Sequence, residues 1–145
     1  MICELFGTLR RKNAMQFNVD RQVSLQNPYE MDIDGFMGEF AVAKFLNVMV
    51  DTSITEKKNP VDLLWNGKTI DVKSTRVSNA SIFVTEYHRT KPCNLYVLAT
   101  LKNDAAILSG WIDSDGLFKH AEAVGKDHPS YRLDHKYLLP MTAMK

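Results

Sequence analysis

Cysteine is scarce in this chain. Cys3 and Cys93 are the two cysteines among 145 residues, with no Cys-x-x-Cys and no histidine at zinc spacing, which excludes a disulfide framework and a structural zinc site. Both are expected to be free thiols. No apolar run approaches the roughly 20 residues of a membrane span, and the opening Met1-Ile2-Cys3-Glu4 lacks the basic start and apolar stretch of a signal peptide. The expectation is a soluble, cytoplasmic chain that is neither secreted nor membrane-bound. Histidine offers little either: His88, His120, His128 and His135 show no i, i+4 pairing and receive no role. An excess of one charge is also missing, since 18 Lys and Arg face 17 Asp and Glu, a net charge of +1. Global attraction to nucleic acid is therefore slight, and any such contact must come from local clusters.

Apolar residues make up 45% and charged residues 24% of the chain, ordinary values for a globular fold. The length suits one domain. Residues 1–30 read as an arm or irregular lead-in, ending where Pro28 discourages helix continuation, and residues 31–145 as a single domain. From Asp32 or Asp34, either of which can cap, Ile33, Phe36, Met37 and Phe40 form a helical stripe running to about Asn47. Glu39 lies on its shoulder. Val48 to Val50 reads as a short strand, Ser81 to Thr85 as a strand or helix edge, Leu95 to Leu101 and Ala105 to Ile112 as strands joined by a turn, and 114–124 as a helix capped by Ser114 or Asp115. Tyr131 to Met141 reads as extended. An early helix, a hairpin, further strands and a later helix predict an α/β fold, a β-sheet with helices packed on it.

The most informative stretch runs from Pro60 to Lys73. Asn66-Gly67 between two apolar runs is a strong hairpin signal, because a two-residue turn of this kind needs positive φ at both positions. That turn pairs Trp65 with Lys68, Leu64 with Thr69 and Leu63 with Ile70, and places Asp62 opposite Asp71. Strand alternation then gives Val61, Leu63, Trp65, Ile70 and Val72 one face, the expected core, and Asp62, Asp71 and Lys73 the other. Like charges directly opposite are destabilising by up to about 1 kcal/mol. A divalent cation between the carboxylates would offset this, and hard oxygen ligands suit Mg²⁺ or Mn²⁺.

A helix bearing Gly38-Glu39, then Pro60-Val61-Asp62, then Asp71-Val72-Lys73, resembles the PD-(D/E)XK nuclease superfamily. The resemblance covers about residues 34–76 and departs at its head, where Val61 separates Pro60 from Asp62. It implies a restriction-endonuclease-like mixed β-sheet flanked by helices and an Mg²⁺-dependent endonuclease hydrolysing DNA phosphodiester bonds, with Mn²⁺ as a substitute. Asp62, Asp71 and Glu39 would hold the metal, and Lys73 would complete the catalytic set. Arg10, Arg11 and Lys12, Lys57 and Lys58, and Thr75 and Arg76 are the expected DNA contacts. Cleavage would be structure-selective or weakly sequence-specific, of repair, recombination or junction type, since one small domain has little room for a recognition module. Duplex cutting needs two sites, which points to a homodimer. The alternatives are a DNA-binding subunit of the same fold that does not cleave, and a small protein-binding domain in which the carboxylates form a structural ion site.

Overall fold

The computed structural model describes residues 2–16, 27–50, 52 and 61–144. Helix α1 (Ile2–Gln16) packs on helix α2 (Pro28–Leu46). Strands β1 (Leu63–Trp65), β2 (Lys68–Thr75), β4 (Leu95–Lys102) and β5 (Ala105–Asp113) form a mixed sheet in the order β1-β2-β4-β5. The β1–β2 and β4–β5 pairs are antiparallel, and β2–β4 is parallel. A second, antiparallel sheet has the order β3-β7-β6, from β3 (Ile82–Thr85), β6 (Glu122–Val124) and β7 (Ser130–Leu133). The short helix α3 (Glu86–Thr90) lies in the crossover from β2 to β4, and α4 (Ser114–His120) follows β5.

Two apolar clusters hold these layers together. Val42 and Ala43 of α2 meet Leu63, Ile70, Val72, Leu95, Val97 and Ala99 on one face of the main sheet. On the other face Tyr96, Leu98 and Ile112 meet Ile82, Val84 and Leu133 of the second sheet and Leu117 of α4. With both faces covered, β4 is buried from Leu95 to Leu101, which is why it reads as a compact apolar strand, the polar Thr100 within it contacting Ser109.

The hairpin register follows the turn. Leu63 pairs with Ile70, Leu64 with Thr69 and Trp65 with Lys68, and both turn residues have positive φ, 48° at Asn66 and 75° at Gly67. Helix α2 stops as local rules require: Asn47 takes a left-handed φ of 55°, and the N–H groups of Val48 and Asn47 donate to the carbonyls of Ala43 and Lys44, closing the last turn.

Several expectations change. Residues 2–16 are helical rather than an irregular arm, because Gly7 lets α1 rest on α2: a Cβ there would lie 2.7 Å from the Ile33 backbone. Isolated helices of this length are marginal, so tertiary packing decides. Helix α2 begins at Pro28, a residue tolerated in a first turn. Val48 to Val50 is not a strand. Asp113, not Ser114 or Asp115, caps α4, its Oδ1 accepting from the N–H of Gly116 at 2.7 Å. That helix ends at His120, and β6 follows. Beyond Leu133 the extended reading gives way to 3₁₀ turns at His135–Tyr137 and Met141–Met144. Among the described residues no helix is long and apolar enough to cross a membrane.

Candidate functional site

Asp62 departs from the regular hairpin. Its N–H donates to the Ile70 carbonyl at 3.0 Å, so the ladder does not continue to a direct pairing with Asp71. Its Oδ2 accepts the N–H of Val72 at 2.8 Å. Main chain and carboxylate of Asp62 thus bracket Asp71 along the edge of β2. The carboxylate takes the place of the carbonyl that a longer β1 would supply. This corrects the expectation that Asp62 stands on one strand face with Asp71 and Lys73. Alternation breaks at the same point, and Val61 packs with the second apolar cluster instead of joining Leu63.

Asp71 and Lys73 do share a face. Lys73 Nζ lies 2.9 Å from Asp71 Oδ2, and His88 Nε2 lies 3.0 Å from the same oxygen. Lys73 Nζ and His88 Nε2 are 3.5 Å apart. Asp71 is buried at 3% exposure, over the fully buried Tyr96 with which it pairs across β2 and β4. Neither Lys73 nor His88 is aligned with Oδ2 as a hydrogen-bond donor, so this buried oxygen has charge contacts and no directed bond. Burial pushes the Asp71 carboxyl up, but the close contact of His88 and the Lys73 ammonium outweigh it, and the group titrates below the ordinary carboxylate value. The floor of the site is of low polarity: burial raises the Cys93 thiol to about 11 and the Tyr96 phenol to about 12.

His88 had no role in the sequence. Nothing local marks it, because its partners come from β2, and only the crossover helix α3 brings it there. Its orientation is set from the other side of the ring: the Thr85 N–H donates to Nδ1 at 3.3 Å, and the Thr85 hydroxyl lies 3.0 Å from the same atom. An Nδ1 that accepts leaves the ring proton on Nε2, the nitrogen facing Asp71.

The remaining expected residues are dispersed. Glu39 is buried at 8% exposure on α2, the helix covering the sheet face opposite Asp71. Thr75 follows Lys73 on the same face, and its Oγ1 accepts the N–H of Val77 at 3.1 Å. Arg76 is engaged with Asp34, donating from Nε to Oδ2 at 2.8 Å and from its terminal nitrogen to Oδ1. Lys12 is exposed on α1. The side chains of Arg10 and Arg11, and Lys57, Lys58 and Pro60, lie outside the described residues.

Among the described residues no three acidic, histidine or cysteine side chains converge closely enough to hold a metal ion. The repulsion expected between Asp62 and Asp71 is offset within the protein, by the Val72 N–H on one side and by Lys73 and His88 on the other. The buried Oδ2 of Asp71, lacking a directed bond, is nevertheless the kind of hard acceptor that magnesium takes. Asp62, bound to the residue between Asp71 and Lys73, is the carboxylate nearest in the chain's own bonding to supply a second ligand. No protein-family model, characterised protein or solved structure matches the chain.

Proposed function

We propose that this protein is a magnesium-dependent deoxyribonuclease of the PD-(D/E)XK type, with a restriction-endonuclease-like arrangement of its main sheet and α2. One observation carries the reading. The Lys73 amine stands 2.9 Å from the carboxylate two residues before it on the same strand face, and Asp62 is bonded to the amide of the intervening Val72. A carboxylate and an amine thereby share one face of β2, with a second carboxylate bonded to the strand between them, and these are the group types that phosphodiester hydrolysis uses.

Asp71 and Asp62 would hold the ion; Glu39, on α2 across the sheet, stands outside this set. A bound Mg²⁺ supplies Lewis acidity toward a phosphoryl oxygen and toward water. Lys73 faces the scissile phosphate and stabilises the negative charge that develops on its oxygens. His88 and Lys73 keep Asp71 ionised against the burial that opposes its charge. Because a small domain has little room for a separate recognition module, cleavage is structure-selective or weakly sequence-specific, and two copies would serve a duplex.

The test is cleavage of duplex, flap, junction and single-stranded DNA, and of RNA, with Mg²⁺ or Mn²⁺, beside Lys73→Ala and Asp71→Asn. The parent is expected to cut DNA and each variant to slow by about a hundredfold or more. A Lys73→Ala protein that cuts as fast as the parent ends the reading. The dispersal of the acidic groups favours a second reading, a nuclease-fold subunit that binds DNA without cutting it. Tight binding with no turnover on any substrate of the panel is its signature.

A further inference from the structure

Beside Lys73 the sheet face opens into a cleft of about 410 Å³. Lys73 and Thr75 of β2 line it together with Val77, Phe83 of β3 and Leu98 of β4. Its volume lies within the range of small-molecule sites. Leu98 is buried beneath it, whereas Phe83 is 54% exposed. Alternation along β3 explains that exposure: Ile82 and Val84 turn into the core, and Phe83 turns out. Core packing therefore gives no reason for a large aromatic at this position. Across the second sheet Phe83 pairs with Arg132, and directly opposed residues of an antiparallel pair share a face. Arg132 is about half exposed, with its guanidinium 2.9 Å from the exposed carboxylate of Glu122. Phe83 thus lines the same cleft as Lys73 and has Arg132 opposite it in the strand register.

We propose that this cleft receives a single unpaired nucleotide of a nucleic-acid strand, its base against Phe83 and its phosphate toward Lys73. The chemistry is that of stacking combined with charge: any base offers a flat face to an aromatic side chain, and the backbone offers an anion. A base inside a duplex has both faces covered by its neighbours, so occupancy selects strands in which that nucleotide is unpaired or extruded. The proposal rests on the reading above to the extent that Lys73 faces the reacting phosphate. It adds the substrate class: a strand unpaired beside the bond that is cut.

Binding is measured in EDTA by fluorescence anisotropy, on the full chain, with a short labelled DNA strand, its RNA counterpart, the DNA duplex of the same sequence, and the same DNA strand carrying abasic nucleotides. Phe83→Ala and Phe83→Trp stand beside the parent, and the exposure of position 83 leaves the fold of both variants undisturbed. Phe83→Ala is expected to weaken single-strand binding about ten-fold or more and to leave duplex binding unchanged. Phe83→Trp is expected to restore it, with indole emission quenched by the single strand. Abasic strands are expected to bind the parent as weakly as intact strands bind Phe83→Ala. The RNA arm tells whether the sugar is read. Equal affinities of parent and Phe83→Ala, or equal losses on single strand and duplex, overturn the proposal. Phe83-dependent binding without cleavage of any substrate removes the nuclease reading alone. Lys73-dependent cleavage with Phe83-independent binding removes this inference alone.

Discussion

The Asp62 carboxylate accepts the main-chain N–H of Val72 at 2.8 Å, the amide that separates Asp71 from Lys73. A side chain here completes a strand edge that β1 is too short to cover, so an acidic group belongs at once to the sheet and to the candidate site.

Replacing Asp62 therefore has a structural cost that can be measured apart from activity. Asp62→Ala leaves the Val72 N–H without its charged acceptor, and unfolding free energy is expected to fall by about 1–3 kcal/mol. Asp62→Asn keeps an acceptor and is expected to lose less than half as much. Urea denaturation reads the stability, and hydrogen exchange at the Val72 amide reads the bond. Unchanged protection of that amide in Asp62→Ala contradicts the assignment.

Asp71 makes stability depend on pH in a defined direction. Its carboxyl titrates below the ordinary value in the folded protein, so the unfolded chain takes up the proton first as pH falls. The associated stability is fully present above the unfolded value of about 3.9 and is lost as pH drops through the folded one. Urea midpoints between neutrality and strong acid are expected to decline less steeply below that point in Asp71→Asn than in the parent. Parallel curves would show that Asp71 contributes nothing to acid sensitivity.

His88 lowers the Asp71 carboxyl through its Nε2, 3.0 Å away. In His88→Ala the Asp71 carboxyl is expected to move up toward, or past, the ordinary range, since burial still acts and one opposing contact is gone. Carbon-detected NMR titration of the aspartate carboxyls follows it directly. A resonance that titrates at the same pH in both proteins shows that the contact is without electrostatic effect.

Gly38 lies where α2 crosses β2. A Cβ there would stand 2.0 Å from Ser74 Oγ and 3.3 Å from Ala99 Cβ, so Gly38→Ala is expected to destabilise the fold by about 1–3 kcal/mol. Ser74 Oγ is itself buried without a hydrogen-bond partner, and Ser74→Ala is expected to be neutral or stabilising. Combining the two should recover most of the loss, because the shortest contact disappears. A double-mutant cycle by urea denaturation measures the coupling, and strict additivity would refute it.

What could be read along the chain was what local chemistry decides. Asn66-Gly67 sets its own turn through positive φ, and that turn carries the register back to Leu63 and Ile70 without help from the rest of the fold. Strand β4 is legible because burial on both faces leaves apolar residues at nearly every position, Thr100 excepted. Asp71 and Lys73 share a face by strand alternation alone. The register stopped being predictable at Asp62, where a side chain replaces a backbone acceptor and alternation ends with it. Helix α1 was missed because its stability comes from contact between Gly7 and Ile33, residues on different helices. The α4 cap lies one or two residues before the expected Ser114 or Asp115, because Asp113, Ser114 and Asp115 all have suitable side chains and only the backbone direction leaving β5 selects Asp113.

Turn chemistry and periodicity act over a few residues, and they are enough for the hairpin, the side-by-side placement of Asp71 and Lys73, and the presence of helices beside a sheet. Which groups surround Asp71 is a matter of long-range folding. His88 arrives from a helix in the β2-to-β4 crossover, Asp62 folds onto the strand edge, and Phe83 faces the cleft from a second sheet. Those meetings depend on long-range packing, which the spacing of residues along a chain does not encode.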